Sequence, residues 1–220
     1  MTALVQHFAR TIYVALLCAA VISGPAPAAD RPVRIVVLGD SLSAGYGLPA
    51  DAAFPAQLGR ALQAKGIAAE IVNAGVSGDT ASGGLGRLDW SVPEGTEGVI
   101  LELGANDALR GVDPNVTRAA LESIVRRLES RRISVLLAGM RAPRNMGPDY
   151  VRAFDDIFPS LASAHGLVFY PFFLDGVAAD RKLNLPDGLH PTAAGIAVMV
   201  KNIMPKVEEL IARVRAARGS

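Results

Sequence analysis

The chain has 220 residues, half of them hydrophobic, so it is long enough to bury one core and too short for two comfortable domains. Its formal net charge of +1 gives no electrostatic support to a role in binding nucleic acid or an acidic membrane surface. No internal repeat or low-complexity linker is visible, and we therefore expect one domain.

The first thirty residues have the pattern of a secretory signal peptide. Arg10 precedes an apolar run over residues 11–22, and small residues follow at 26–28. This run is shorter than the ~20 apolar residues that a membrane-spanning helix needs, which favours cleavage near Ala28 over an anchor. We expect residues 1–28 to be a signal peptide and residues 29–220 to be the mature domain. The mature protein would be periplasmic or secreted, with no stable membrane anchor.

The single cysteine, Cys18, lies inside this leading segment, and Leu17 stands before it where lipidation would need a small residue. The mature chain would therefore have no thiol, which excludes a cysteine nucleophile and a thiolate metal site. It would keep two histidines, His165 and His190, too few for a zinc site built from several histidines. Any histidine that acts as acid or base must be one of this pair.

Strands alternate with helices along the rest of the chain. Apolar or β-branched runs predict strands at residues 33–38, 67–72, 98–103, 133–138 and 167–170. Helical spacing and capping residues predict helices at 54–65, 80–88, 114–131, 149–165 and 192–214. This alternation is typical of βαβ units with right-handed crossovers. The predicted fold is α/β, a three-layer α/β/α sandwich around a five-stranded parallel sheet of order 2-1-3-4-5.

The first chemically informative stretch is residues 33–48, which read VRIVVLGDSLSAGYGL. The strand at its start runs into Gly39-Asp40-Ser41, which places Ser41 at the carboxyl edge of the predicted sheet. Ligands of open α/β sheets bind at that edge, so Ser41 is a candidate nucleophile. Taken alone, the tripeptide is more typical of a tight turn, so the rest of the chain must decide.

A serine hydroxyl needs a base to remove its proton, and His190 is the better of the two candidates. His165 stands just before Gly166 at a predicted helix end, where a histidine interacts with exposed carbonyls or the helix dipole. His190 lies in a loop three residues after Asp187, whose carboxylate can hold one ring nitrogen while the other faces Ser41. The alternative for Asp187 is a loop residue that caps the last helix.

Acyl transfer also needs hydrogen-bond donors for the oxygen that becomes negative. The backbone N–H groups of Ser41 and Gly78 and the side-chain amide of Asn106 could supply three donors from three loops. Gly78 could instead be a turn residue with positive φ, and Asn106 could instead shape its own loop. The carboxylates next to these residues are expected to hold the loops: Asp40, Asp79 and Asp107.

Four blocks occur in order: Gly39-Asp40-Ser41-Leu42-Ser43, Gly78 within SGDT, Gly104-Ala105-Asn106-Asp107 and Asp187-Gly188-Leu189-His190-Pro191. Together they resemble the sequence blocks of the SGNH (GDSL-type) hydrolases. Longer stretches, GDSLSAGYGL, NAGVSGDT and ELGANDALRG, are similar to the bacterial thioesterase I, lysophospholipase L1 and arylesterase group. The chain has no G-x-S-x-G sequence, which argues against an ordinary α/β-hydrolase.

The resemblance implies a catalytic triad and an oxyanion hole. The triad would be Ser41, Asp187 and His190, and the hole would be formed by Ser41, Gly78 and Asn106. The resemblance also implies a flavodoxin-like sheet and no cofactor.

The sequence as a whole predicts an exported serine esterase or thioesterase that cleaves a small-molecule acyl ester or thioester through an acyl-enzyme. Apolar loop residues are candidates for an acyl groove, with core packing as the alternative for each: Leu48, Met140, Met146, Phe172 and Leu174. Two other functions stay open, a carbohydrate O-acetylesterase and a non-catalytic periplasmic binding protein. The aromatic content of 5% argues against a sugar site, and the presence of every catalytic position argues against a binding protein.

Overall fold

The computed structural model describes residues 31–219, so the predicted signal peptide lies outside the described residues. A parallel sheet occupies the centre of the described part. Its strands are β1 (Val33–Gly39), β2 (Ala69–Gly75), β3 (Gly98–Glu102), β4 (Ser134–Ala138) and β5 (Val168–Tyr170). They lie in the order β2-β1-β3-β4-β5, which confirms the predicted order.

Helices cover both faces of the sheet. They are α1 (Ser41–Ala44), α2 (Phe54–Ala64), α3 (Ala81–Gly86), α4 (Leu88–Ser91), α5 (Ala105–Leu109), α6 (Pro114–Ser130), α7 (Pro148–Asp155), α8 (Ile157–His165) and α9 (Ala193–Arg218). Helix α2 packs against α9, whereas α6 packs against α3 and α8. The predicted α/β/α sandwich is therefore confirmed. Within the described range, no helix is both long and apolar enough to cross a membrane.

The burial of the strands follows their place in the sheet. Every residue of β3 is buried, and in β1 only Arg34 is partly exposed. Continuous aliphatic runs suit these central strands because helices cover both of their faces. The edge strand β2 has no fully buried residue. On α2, the side chains of Phe54, Leu58 and Leu62 are fully buried, at the spacing of one helix face.

The structure divides the helix predicted over residues 149–165. Helices α7 and α8 meet at Asp156, and Pro159 lies in the first turn of α8. Proline has no N–H to donate to the carbonyl of Asp155, so one continuous helix could not keep its hydrogen bonds there. The helix predicted over residues 80–88 likewise ends at Gly86, and α4 follows it.

Two elements extend beyond their predicted ends. Strand β2 continues to Gly75 because its last residues pair with the end of β1, where Gly75 lies opposite Gly39. Helix α9 continues to Arg218, whose Nη2 lies 2.6 Å from Glu97 Oε2. Tertiary contacts, rather than local sequence signals, therefore set both ends.

Strand β1 lies between β2 and β3. The chain therefore passes from β1 to its neighbour β2 at one edge of the sheet and then crosses to β3 on the opposite side of β1. At such a switch point the loops that follow the two neighbouring strands diverge and leave a crevice at the carboxyl edge. Ser41 follows β1 and Asn106 follows β3. The topology therefore brings these two residues to the same crevice.

Gly75→Ala should destabilise the fold. A Cβ atom at residue 75 would lie 2.6 Å from the backbone nitrogen of Ala44 in α1, closer than packed atoms approach. We expect the free energy of unfolding, measured by urea denaturation, to fall by about 1–3 kcal/mol.

Gly86→Ala is the matched control, because a Cβ atom at residue 86 would meet nothing within 4 Å. It should leave the free energy of unfolding unchanged or raise it by up to about 1 kcal/mol. Equal stabilities of the two variants would contradict the close approach of α1 to β2.

Candidate active site

Ser41 is the first residue of α1 and follows the tight turn at the end of β1. Asp40 caps this helix, and its Oδ1 accepts a hydrogen bond from the backbone N–H of Leu42 at 2.9 Å. Gly39 is required by the crowding beneath the turn: a Cβ there would lie 2.3 Å from Ser43 Oγ and 2.5 Å from Glu102 Oε2. The turn holds Ser41 at the carboxyl edge of β1, where 8% of the residue is exposed.

His190 connects Ser41 to Asp187. Its Nε2 lies 3.0 Å from Ser41 Oγ, and its Nδ1 lies 2.8 Å from Asp187 Oδ2. The other carboxylate oxygen of Asp187 accepts the backbone N–H groups of Leu189 at 2.9 Å and His190 at 3.0 Å. These two backbone hydrogen bonds, followed by the one to the His190 ring, lower the pKa of Asp187 to about 2. Asp187 is therefore ionised at neutral pH and suited to hold the His190 ring.

The loop of residues 171–192 carries His190 from β5 back towards β1. Its second half is held by backbone hydrogen bonds: the N–H of Leu185 donates to the carbonyl of His190 at 2.7 Å, and the N–H of Thr192 donates to the carbonyl of Leu183 at 2.8 Å. These contacts fix the position of His190 relative to the start of α9.

Tyr46 contacts His190 and was not predicted from the sequence to belong to the site. Its ring centroid lies 4.4 Å from that of His190, with 34° between the ring planes, and half of the residue is exposed. The contact with this aromatic ring restricts the movement of the imidazole. The sequence contains Tyr46 inside the stretch that resembles the hydrolase family, but nothing in its spacing indicates a contact with residue 190.

Asn106 lies in α5 and lines the same cavity as Ser41 and His190. Its Nδ2 donates to Asp40 Oδ2 at 3.0 Å, which orients the amide. The amide nitrogen has a second hydrogen, which is available to another acceptor. The structure therefore connects Asn106 directly to the residue that caps the Ser41 helix.

Gly78 lies in the loop after β2 and is not among the residues that line this cavity. Its φ is +83°, as expected for a turn glycine, and its carbonyl accepts a hydrogen bond from Arg110 Nη2 at 2.8 Å. Asp79, the next residue, lies 2.6 Å from Nε of Arg87, and Nη2 of Arg87 donates to the carbonyl of Gly39 at 2.9 Å. Arg87 therefore ties the Gly78 loop to the end of β1, and Asp79 holds its loop as expected.

Asp107, directly after Asn106, also holds its surroundings. It is fully buried, accepts the backbone N–H of Ala81 at 2.9 Å and accepts the hydroxyl of Thr117 at 3.0 Å. Its carboxylate therefore joins α3, α5 and α6.

Glu102, the last residue of β3, is a second buried carboxyl group that was not predicted to belong to the site. Its Oε2 accepts the backbone N–H of Asp40 at 3.2 Å, and its Oε1 has no hydrogen-bond partner among the described residues. Burial, and next the charge of Asp40, raise the pKa of Glu102 well above its ordinary value. Burial also raises the pKa of Asp40 to about 6, although the hydrogen bonds from Leu42 and Asn106 lower it. Burial and the neighbouring Asp40 carboxylate therefore both favour the protonated form of Glu102.

A cavity of about 630 Å³ opens beside Ser41 and His190. Three predicted groove residues line it: Met140, Phe172 and Leu174. Leu48 and Met146 do not. Leu48 packs against the core, and the Met146 side chain is directed towards Gly111, where an added Cβ would lie 3.3 Å from Met146 Cε. Four apolar residues that were not predicted from the sequence also line the cavity: Leu42, Ala108, Leu109 and Leu189.

His165 lies at the last position of α8, and its Nδ1 is 3.0 Å from Glu129 Oε2. It does not line the cavity, so it has the structural position expected of it. In the part of the chain that the structure describes, no cluster of three or more His, Cys, Asp or Glu side chains could hold a metal ion.

Comparison with known proteins places the chain in a family. The model of the GDSL-like lipase/acylhydrolase family matches residues 37–198. The chain is 35% identical to the esterase TesA of Pseudomonas aeruginosa over 178 residues, which is 80% of this chain and 89% of TesA. It is 40% identical to thioesterase 1/protease 1/lysophospholipase L1 of Escherichia coli K12 over 167 residues, which is 76% of this chain and 77% of that protein.

A solved structure supports the same assignment. AlinE4, an SGNH-hydrolase family esterase, is 44% identical, covers 81% of this chain and 96% of its own, and has a TM-score of 0.69. The chain therefore belongs to the GDSL-like lipase/acylhydrolase family and is an enzyme of the esterase/thioesterase class.

The effect of Glu102→Gln on the free energy of unfolding should become more favourable as the pH rises. Between the ordinary pKa of a glutamate and the raised pKa of Glu102, the folded protein binds more protons than the unfolded chain, so stability falls with rising pH. Gln has no proton to lose and removes this contribution. We expect the stability difference between variant and wild type, from urea denaturation near pH ~4.5 and ~7.5, to shift in favour of the variant at the higher pH.

Glu94→Gln is the control, because Glu94 is exposed. Its stability difference from the wild type should change little over this range. A Glu102→Gln difference that is independent of pH would contradict a raised pKa of Glu102 in the folded protein.

Proposed function

We propose that this protein is an exported serine hydrolase that cleaves acyl esters or thioesters of small molecules through an acyl-enzyme. The observation that carries the proposal is the hydrogen-bonded series of Ser41, His190 and Asp187, with distances of 3.0 Å and 2.8 Å, at a cavity with apolar walls. A serine, a histidine and a carboxylate in this series form the arrangement that activates a serine hydroxyl.

In the first half of the reaction, Ser41 Oγ attacks the acyl carbon of the substrate. Nε2 of His190 takes the hydroxyl proton, and Asp187 stabilises the imidazolium that forms. The bond to the alcohol or thiol then breaks, and His190 gives the proton to this leaving group. The acyl group remains as an ester of Ser41.

In the second half, a water molecule attacks this ester. His190 takes a proton from the water and returns it to Ser41 Oγ when the carboxylic acid leaves. Water and substrate are thereby converted into an acid and an alcohol or thiol, and the enzyme is restored. No step requires a metal or an organic cofactor.

The oxyanion that forms in both halves needs donors. We propose the backbone N–H groups of Ser41 and Gly78 and the side-chain amide of Asn106. The hydrogen bond from Asn106 to Asp40 supports its part in this proposal, since a donor held before the reaction needs no reorientation during it. Arg87 joins the Gly78 loop to the end of β1, which supports Gly78 as a donor because its loop is likewise held before the reaction.

The cavity favours an acyl group over a sugar. Met140, Phe172 and Leu174 provide apolar walls, and Phe172 is the one Phe, Tyr or Trp residue among its described lining residues. The alternative is a carbohydrate O-acetylesterase. The non-catalytic binding protein that the sequence left open does not fit an enzyme of the esterase/thioesterase class. The names of the relatives, esterase and thioesterase 1/protease 1/lysophospholipase L1, support the acyl ester or thioester. Export to the periplasm or the medium rests on the signal-like pattern of residues 1–28.

Hydrolysis of a series of p-nitrophenyl esters, from acetate to palmitate, tests the proposal. The protein is recovered from the periplasm and medium of an expressing bacterium, where its mass should match a chain that begins near Ala29. We expect hydrolysis by the wild type and its loss in Ser41→Ala, with a chain-length optimum above acetate. Activity that survives Ser41→Ala would refute the mechanism. A folded wild type inactive on every ester would contradict the proposed hydrolysis of acyl esters.

Asn106→Ala should reduce kcat by roughly 10²- to 10³-fold if its amide donates to the oxyanion. Asn115→Ala provides the control, because Asn115 is an exposed residue of α6. The folded fraction of both variants is checked by circular dichroism, since Asn106→Ala also removes a hydrogen bond from Asp40. Unchanged turnover in folded Asn106→Ala would exclude this residue from the oxyanion hole.

A further inference from the structure

One wall of the otherwise neutral cavity is cationic. Arg141 and Arg144 line it together with Ser41 and His190, and none of its described lining residues is an aspartate or a glutamate. The other lining residues are apolar or uncharged. An anionic group that enters this cavity would meet positive charge and no facing carboxylate.

The two arginines differ in their partners. Arg144 Nη1 lies 3.0 Å from Asp155 Oδ2, so a carboxylate already compensates its charge. Arg141 lies over the ring of Phe172, with Cζ 4.7 Å from the ring centroid, and forms no ion pair within residues 31–219. A guanidinium that lies over an aromatic ring keeps donors at its edge free for a carboxylate or phosphate.

Hydrogen bonds hold the segments that carry Arg141 and Phe172 together. The N–H of Gly139 donates to the carbonyl of Tyr170, the last residue of β5, at 2.7 Å. The N–H of Phe173 donates to the carbonyl of Gly139 at 2.8 Å. On the other side of Arg141, the N–H of Ala142 donates to the carboxylate of Asp155 at 2.8 Å. The backbone on both sides of Arg141 is therefore fixed, and the contact with the Phe172 ring places the exposed guanidinium at the cavity.

We infer that Arg141 forms an anion subsite of this cavity, and that it gives the enzyme a preference for acyl esters or thioesters that carry a carboxylate group away from the bond to be cleaved. The inference rests on the proposed function of Ser41 and names the substrate class of the same site. A guanidinium binds such groups through charge-assisted, often paired hydrogen bonds. The anion can belong to the acyl group or to the leaving group, because the cavity contains both Ser41 and Arg141.

Two matched ester pairs distinguish these sources. For the acyl side, p-nitrophenyl octanoate is compared with the mono-p-nitrophenyl ester of suberic acid, whose chain ends in a carboxylate too distant to attack its own ester readily. For the leaving group, phenyl acetate is compared with 4-carboxyphenyl acetate. The readout is the ratio of kcat/KM for the anionic ester to that for the neutral ester, in wild type and in Arg141→Gln.

We expect Arg141→Gln to lower this ratio about tenfold for the pair whose anion reaches residue 141, the effect of one charge-assisted hydrogen bond. The ratio in the wild type should also fall as salt is raised. Hydrolysis of the neutral ester by the same variant shows that the variant is folded.

Arg60→Gln is the matched control, because it removes the same charge from an exposed position of α2 outside the cavity. It should leave both ratios unchanged, which separates a local contact from attraction by net charge. Equal ratios in wild type and Arg141→Gln for both pairs would overturn the anion subsite while leaving the serine hydrolase intact. Activity that survives Ser41→Ala would instead overturn the proposed function.

Discussion

The buried carboxylate of Asp40 joins three parts of the structure. The carboxylate accepts hydrogen bonds from Leu42 in α1 and from Asn106 in α5. The backbone N–H of Asp40 donates to Glu102 at the end of β3. Asp40 and Glu102 are both fully buried. A buried charge is tolerated only where hydrogen bonds replace those of water, so α1, α5 and β3 must keep their relative positions. The position of Ser41 therefore depends on groups beneath it that never meet the substrate.

The two sides of the site differ in burial. Asp40 and Ser41 lie in the closely packed turn after β1, whereas the side chain of Asp187 is 37% exposed and that of His190 is 19% exposed. The nucleophile thus rests on the sheet, while the base rests on a long surface loop. Such a loop depends on its own backbone hydrogen bonds and on the Tyr46 ring for its position. The open side also gives water access to the Ser41 ester that the proposed mechanism requires.

Patterns of apolar residues predicted the order of the sheet because buried parallel strands are continuous aliphatic runs, and right-handed crossovers leave few arrangements for them. The same patterns misplaced element ends. Pro159 interrupts a helix whose apolar spacing continues past it, and Gly75 extends β2 through pairing with Gly39 in a distant part of the chain. Local spacing contains no information about such partners.

The sequence by itself determined the fold class and the proposed catalytic residues. The aliphatic runs of the strands and the blocks around Ser41, Asn106 and His190 are local features of the chain. Only the tertiary structure decided that Tyr46 contacts His190, that Glu102 supports Asp40, and that Arg141 faces the cavity while Met146 does not. The physical reason is that each of these facts depends on where a side chain lies relative to a segment far away in sequence. Such distances are set by the packing of the whole sheet and its loops.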